Sequence, residues 1–165
     1  MRVLRNLGKL GMAAVLGFAV FMPTPGHASI MWGPRVGVGL DPEQLVFGVH
    51  FRPDPIADNL YIQPNVEVGV GDDHTILSAA VPLHYHFETS SSTKPYAGGG
   101  FSFGVDSHDD DNDNNDNDDD SDFEVSVDIV GGLEWQLDNG NGFLVELKLG
   151  IGDLHTMELM TGWLF

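Results

Sequence analysis

Cysteine is absent from the 165 residues, and cations are scarce: 7 Lys and Arg stand against 25 Asp and Glu, a formal charge of -18. The first absence excludes disulfide stapling and thiolate metal centres. The second excludes a nucleic-acid binder, because a phosphate backbone is held by clustered cations. Also missing is the run of ~20 apolar residues that a membrane-spanning helix needs; the stretch from Leu10 to Met22 has only 13. What the chain has in excess is glycine, 21 residues, against an average usage of roughly 7%. A length of 165 residues suits one ordinary domain.

The first 28 residues have the order of a secretory leader. Arg2, Arg5 and Lys9 precede the apolar run, Pro23 and Pro25 end it, and Gly26-His27-Ala28 supplies the small residues a signal peptidase requires. The mature chain is expected to start near Ser29, and loss of the three leader cations takes the formal charge from -18 to -21. Arg35, Arg52, Lys94 and Lys148 are then the basic residues that remain.

From Met31 onward the apolar period is two, and Asn/Asp-Gly and Pro/Asp clusters interrupt it at regular intervals. Those clusters tolerate positive φ and bond their own backbone, so they read as turns. Eight strands are predicted, over Met31–Leu40, Leu45–Arg52, Leu60–Gly71, His74–Phe87, Tyr96–Asp106, Phe123–Leu137, Phe143–Gly152 and Thr156–Phe165. The alternation is clearest late in the chain. Phe123, Val125, Val127, Ile129, Leu133, Trp135 and Leu137 point one way, while Glu124, Ser126, Asp128, Gly132, Glu134 and Gln136 point the other.

Such strands could stack as a soluble sandwich or close into a barrel, and the polar face decides between them. It carries Gly37, Gly39, Gly48, Gly69, Gly98, Gly100, Gly104, Gly132, Gly150, Gly152 and Gly162. Glycine in a solvent-facing strand costs backbone entropy and packs nothing, whereas the interior of a narrow barrel has room for little else. The same face holds Arg35, Arg52 and Lys148 with Glu67, Asp106, Glu124, Asp128, Glu134, Glu146 and Glu158, which could pair across a small lumen. The opposite face holds Trp32, Val36, Phe47, Phe51, Leu83, Tyr85, Phe87, Phe101, Phe103, Trp135, Trp163 and Phe165. Aromatics near strand ends suit the two interfaces of a bilayer, and strands of ~10 residues are long enough to cross one when tilted. The expected fold is all-β: an eight-stranded antiparallel transmembrane β-barrel behind a cleavable signal peptide, 1–28, with the barrel over 29–165.

This pattern resembles the small eight-stranded outer-membrane barrels of Gram-negative bacteria, the OmpX, OmpA-transmembrane-domain and OmpW-like group. The residues that carry the likeness are the leader, the run Lys94-Pro95-Tyr96-Ala97-Gly98-Gly99-Gly100-Phe101 after a short turn, and the ending Gly162-Trp163-Leu164-Phe165. The resemblance implies residence in the cell outer membrane, contact with its lipid and lipopolysaccharide, and recognition of Phe165 by the outer-membrane assembly machinery. It also implies a periplasmic side for the turns at Pro53–Asn59, Glu88–Lys94 and Asp138–Asn141. Asp41–Gln44, Asp72–His74, Ser107–Asp122 and Asp153–His155 would then lie outside the cell, where such barrels place long loops.

Three groups of residues could carry chemistry. Ser107–Asp122 contains nine aspartates and can form no core, so it reads as a solvated, self-repelling loop. The alternative is a calcium loop with Asp109, Asp111, Asp113 and Asp120 as ligands, although Asn114 stands where the sharp turn wants glycine. Either way the loop should attract Ca²⁺ or another divalent cation. Second, Asp72, Asp73 and His74, His108 and Asp109, and Asp153 and His155 place imidazole beside carboxylate on three turns of one rim, a donor set for Zn²⁺, Ni²⁺ or Cu²⁺. The plain alternative is ordinary turn chemistry. Third, His50, His84 and His86 fall on the polar face and, with Glu67, Ser102 or Glu124, could be read as a hydrolytic site; a hydrogen-bonded lumen is the simpler reading.

The function expected from all this is structural or surface-interacting, with no catalytic residues and no bound cofactor. The rivals are a narrow conduit for small hydrophobic solutes, a lipid-modifying hydrolase, and a soluble periplasmic barrel that binds a ligand.

Overall fold

A computed structural model describes residues 30–72, 74–108, 121–138, 140–152, 154 and 157–165, with backbone alone at 108, 121 and 122. The leader and the acidic residues 109–120 lie outside the described residues. Nine strands are present: β1 (Met31–Asp41), β2 (Glu43–Arg52), β3 (Leu60–Ile62), β4 (Asn65–Val70), β5 (His74–His86), β6 (Thr93–His108), β7 (Ser121–Gln136), β8 (Gly142–Gly152) and β9 (Met157–Leu164). Every pairing is antiparallel: β2 bonds β4, β3 and β4 both bond β5, the other strands bond their neighbours in sequence, and β1 bonds β9, so the meander closes on itself with no free edge between first and last strands.

Nine strands make eight staves, because β3 and β4 are two pieces of one. Both lie against β5 in a single register, with Ile62 opposite Leu83 and Asn65 opposite Ala80. The continuous strand expected over Leu60–Gly71 is therefore interrupted at Gln63-Pro64. Pro64 has no N–H to give the ladder, and Pro82 on the facing strand has none either. The local bonds that remain are Gln63 N–H to Pro82 O at 3.0 Å and Phe51 N–H to Pro64 O at 2.9 Å. Two further boundaries differ from expectation. The β6–β7 hairpin is longer than predicted, running from the Thr93–Trp135 pair to the Ser107–Ser121 pair, and Lys94 is a strand residue rather than a turn residue.

The two faces separate as the alternation demands. Arg35, His50, Glu67, His84, Asp128, Glu146, Lys148 and Glu158 are buried inside, whereas Phe47, Phe101, Phe123, Ile129 and Ile151 on the outside are all more than half exposed. Water-soluble monomers seldom expose an apolar patch beyond a few hundred Å²; here the apolar residues girdle the whole barrel. The interior is not purely polar. Leu144, Leu164, Met160, Val46 and Leu154 are buried there too, and Leu154, in the β8–β9 turn, fills the space a side chain at Gly104 would need. Ile30, Phe165 and the turns at 53–59, 87–92 and 137–141 share one end of the barrel, called here the termini end; the turns around Pro42, Asp72 and Leu154 share the other.

Candidate functional site

The middle of the barrel is closed by paired charges drawn from around the wall. Arg35 of β1 donates from its guanidinium to Glu67 of β4 at 2.9 Å and to Glu146 of β8 at 2.7 Å. Lys148 of β8 reaches the other oxygen of Glu67 at 2.9 Å and Glu158 of β9 at 2.5 Å. Glu67 thus bridges both cations. Tyr96 of β6 donates its hydroxyl to Glu146 at 2.9 Å. Charges taken from water cost several kcal/mol each unless partners surround them, so this cluster is stable only because five staves converge on it. The cluster occupies the middle of a lumen that in an eight-stranded barrel is just wide enough for side chains.

Toward the termini end a second network continues. Gln63 is wholly buried and accepts from Arg52 Nε at 2.9 Å and a terminal guanidinium nitrogen at 2.7 Å. Arg52 also pairs with Glu134 at 2.6 Å and lies 5.5 Å from the Tyr61 ring centre. His84 and His86 stack on the same ring, Tyr96, with centroids 4.8 and 5.1 Å away. His50 bonds the Trp163 carbonyl at 2.8 Å. All three histidines line the lumen, but only His50 fits the hydrogen-bonded reading: both ring nitrogens of His84 and Nε2 of His86 have no hydrogen-bond partner among the described residues. The hydrolytic alternative needs Ser102 beside an imidazole; instead its hydroxyl donates to Asp128, as does that of Ser126 at 3.0 Å. Below these networks, at the termini end, lies a vestibule of about 440 Å³, whose lining includes Arg52, Tyr61, His86, Lys94 and Glu134.

The rim residues are only partly within view. Asp72 is exposed and His74 half-buried, and the β5–β6 register sets His74 opposite His108. Asp109, Asp111, Asp113, Asp120, Asp153 and His155 lie outside the described residues. Among the described residues, no three His, Asp or Glu side chains gather as a metal would require.

The lumen residues that the sequence reading passed over are Gln63, Tyr96 and the buried leucines. Parity could have found Tyr96, which sits two residues before Gly98 on the polar face. It could also have found Gln63, which has the parity of Asn65, Glu67 and Gly69 and keeps it across the break at Pro64 because β3 and β4 hold one register against β5.

No protein-family model matches the chain, and no curated protein matches it. Solved structures do. The N-terminal β-barrel domain of Pseudomonas aeruginosa OprF superposes with a TM-score of 0.63 at 13% identity, covering 82% of this chain and 96% of that one. Neisserial surface protein A gives 0.56 at 15% identity, covering 84% and 95%. A de novo designed transmembrane β-barrel gives 0.51 at 13% identity, covering 87% and 98%. Natural and designed chains at such low identity share the architecture and nothing finer. The fold is that of the eight-stranded antiparallel transmembrane barrels.

Proposed function

We propose that this protein is an outer-membrane barrel that acts through its surface, as a structural or surface-interacting protein, and is neither a diffusion pore nor an enzyme. The observation that carries this reading is the lumen cluster of Arg35, Glu67, Glu146, Lys148 and Glu158, which sets buried ion pairs across the middle of the barrel. With the termini end in the periplasm, the β6–β7 connection belongs to the outward side, and its sequence over residues 109–120 is strongly acidic. Hard cations take carboxylate and amide oxygens, so that segment suits a divalent-cation-dependent contact with another surface, lipopolysaccharide included. The exposed aromatic Phe165, bonded through its backbone to Trp32, is the residue we assign to recognition by the assembly machinery.

The test is fractionation followed by reconstitution. The protein should appear in the outer-membrane fraction, migrate anomalously on a gel until boiled, and give no sustained conductance in a planar bilayer. Steady open channels would refute the closed lumen, and release without detergent would refute the membrane reading. In equilibrium dialysis, a variant lacking residues 109–120 should retain less calcium than the full chain; equal retention removes the cation from the proposal.

A further inference from the structure

The vestibule at the termini end has the properties of a ligand site. Its volume of about 440 Å³ falls within the ~300–1,000 Å³ usual for small-molecule pockets. Arg52 and Glu134, paired at 2.6 Å, form part of its wall.

Its unused bonding capacity is specific. His86 is 5% exposed and lines the pocket, and its Nε2 has no hydrogen-bond partner among the described residues. A buried polar nitrogen left so costs about 1–3 kcal/mol, so it favours whatever brings it a partner. Lys94 lines the same pocket. Of the four basic residues in the barrel, Arg35, Arg52 and Lys148 are held in ion pairs. Lys94 forms none among the described residues.

The lining carries Arg52 and Lys94 against Glu134 and Glu88, so it has no formal excess of either sign, and Lys94 is the cation within it that no carboxylate holds in an ion pair among the described residues. Glu134 is already neutralised by Arg52 at 2.6 Å. Glu88 lies at the exposed edge, where Asn59 donates to it at 3.0 Å. Amide groups of Gln136 and Asn141 and the ring of Tyr61 complete the walls. Among the described residues, Lys94 is the Lys or Arg without an ion pair, and it sits where a ligand can enter.

We propose that this vestibule binds a small hydroxyl-bearing organic anion, with Lys94 as counter-ion to its acidic group, His86 as hydrogen-bond partner, and the amide-lined wall meeting its hydroxyls. The site is distinct from the acidic surface at the far end and does not depend on the role assigned to that surface.

The experiment is a titration of the ¹⁵N-labelled full barrel in detergent micelles with D-glucuronate as the acidic probe and glucose as its neutral counterpart. Glucuronate should shift the amide resonances of Lys94, His86 and Asn141 saturably and leave His74, at the far end, unmoved. Loss of a charge-assisted hydrogen bond should weaken binding by about tenfold or more in Lys94→Gln, while Lys94→Arg should retain most of it. Heat-modifiable migration of both variants checks that they fold, and Lys94→Arg carries the test if Lys94→Gln does not. Absence of saturable shifts, equal affinity in Lys94→Gln, or equal binding of glucose would each overturn the proposal.

Discussion

The inner and outer faces of this barrel alternate residue by residue along one strand, yet they obey opposite rules. On β7, Ser126, Asp128 and Glu134 are buried while Val127, Ile129 and Leu133 are exposed. In a water-soluble protein those classes change places. The difference teaches where each solvent lies: the protein must solvate its own charges inside, because the lumen holds too little water, and the bilayer solvates the apolar side chains outside. Arg35, Glu67, Glu146 and Lys148 are therefore not surface decoration turned inward. They are the core, built from pairing instead of hydrocarbon.

The largest predicted effect comes from breaking that core on one side only. Arg35→Met removes the cation shared by Glu67 and Glu146; Glu67 keeps Lys148, but Glu146 is left buried with the Tyr96 hydroxyl and no Lys or Arg in an ion pair with it. A loss of about 3–5 kcal/mol is expected for such an orphaned charge, read as the midpoint of urea unfolding of the refolded barrel. Adding Glu146→Gln to Arg35→Met should recover part of the loss, since Lys148 still serves Glu67. If the single variant unfolds at the wild-type midpoint, the inner face is wet and the contrast between the faces fails.

How much of this the sequence carried depends on the region. Along β7 and β8 the period-two pattern runs unbroken, and every residue assigned outward there is exposed or half-exposed. The stave built from β3 and β4 was read as continuous because Pro64 acts through a missing N–H and a facing Pro82, which only the β5 register reveals. The inward charges were legible as a set, but their partners were not. Arg35 and Glu146 are 111 residues apart, and which glutamate meets which cation depends on the stagger of the closed barrel, a property of all eight staves together. The vestibule was hidden for the same reason. His86 was assigned to the polar face and Lys94 to a turn, and nothing local says that Arg52 and Asn141 close around them.

The outer face can be tested in its turn. Ile129→Arg places a cation on the lipid side midway along β7, where a charged substitution costs about 2–4 kcal/mol near the bilayer midplane. The measurement is folding stability in lipid vesicles. The cost should fall steadily when the same substitution is moved along the outward positions to Phe123 and to Leu137, near the ends of the strand. A flat profile, or no cost at all, would mean that the exposed residues do not meet hydrocarbon.

The finest test uses two adjacent glycines of β7 on opposite sides of the wall. A Cβ at Gly132 would lie 2.5 Å from the Tyr96 ring, inside the lumen, whereas one at Gly131 would meet nothing nearer than the Tyr96 carbonyl at 3.9 Å. Gly132→Ala must therefore displace both the Val145 carbonyl, 2.6 Å away, and a ring that stacks with His84 and His86 and bonds Glu146, and overpacking of that kind costs about 1–3 kcal/mol. Gly131→Ala should stay within ~0.5 kcal/mol of wild type. Both measurements use the same unfolding assay, and the gap between them isolates lumen crowding from strand propensity, because the two sites are neighbours on one strand. Equal effects would mean that the small inward residue at 132 is not there to make room for Tyr96, and the packing argument for glycine inside the barrel would lose its most direct support.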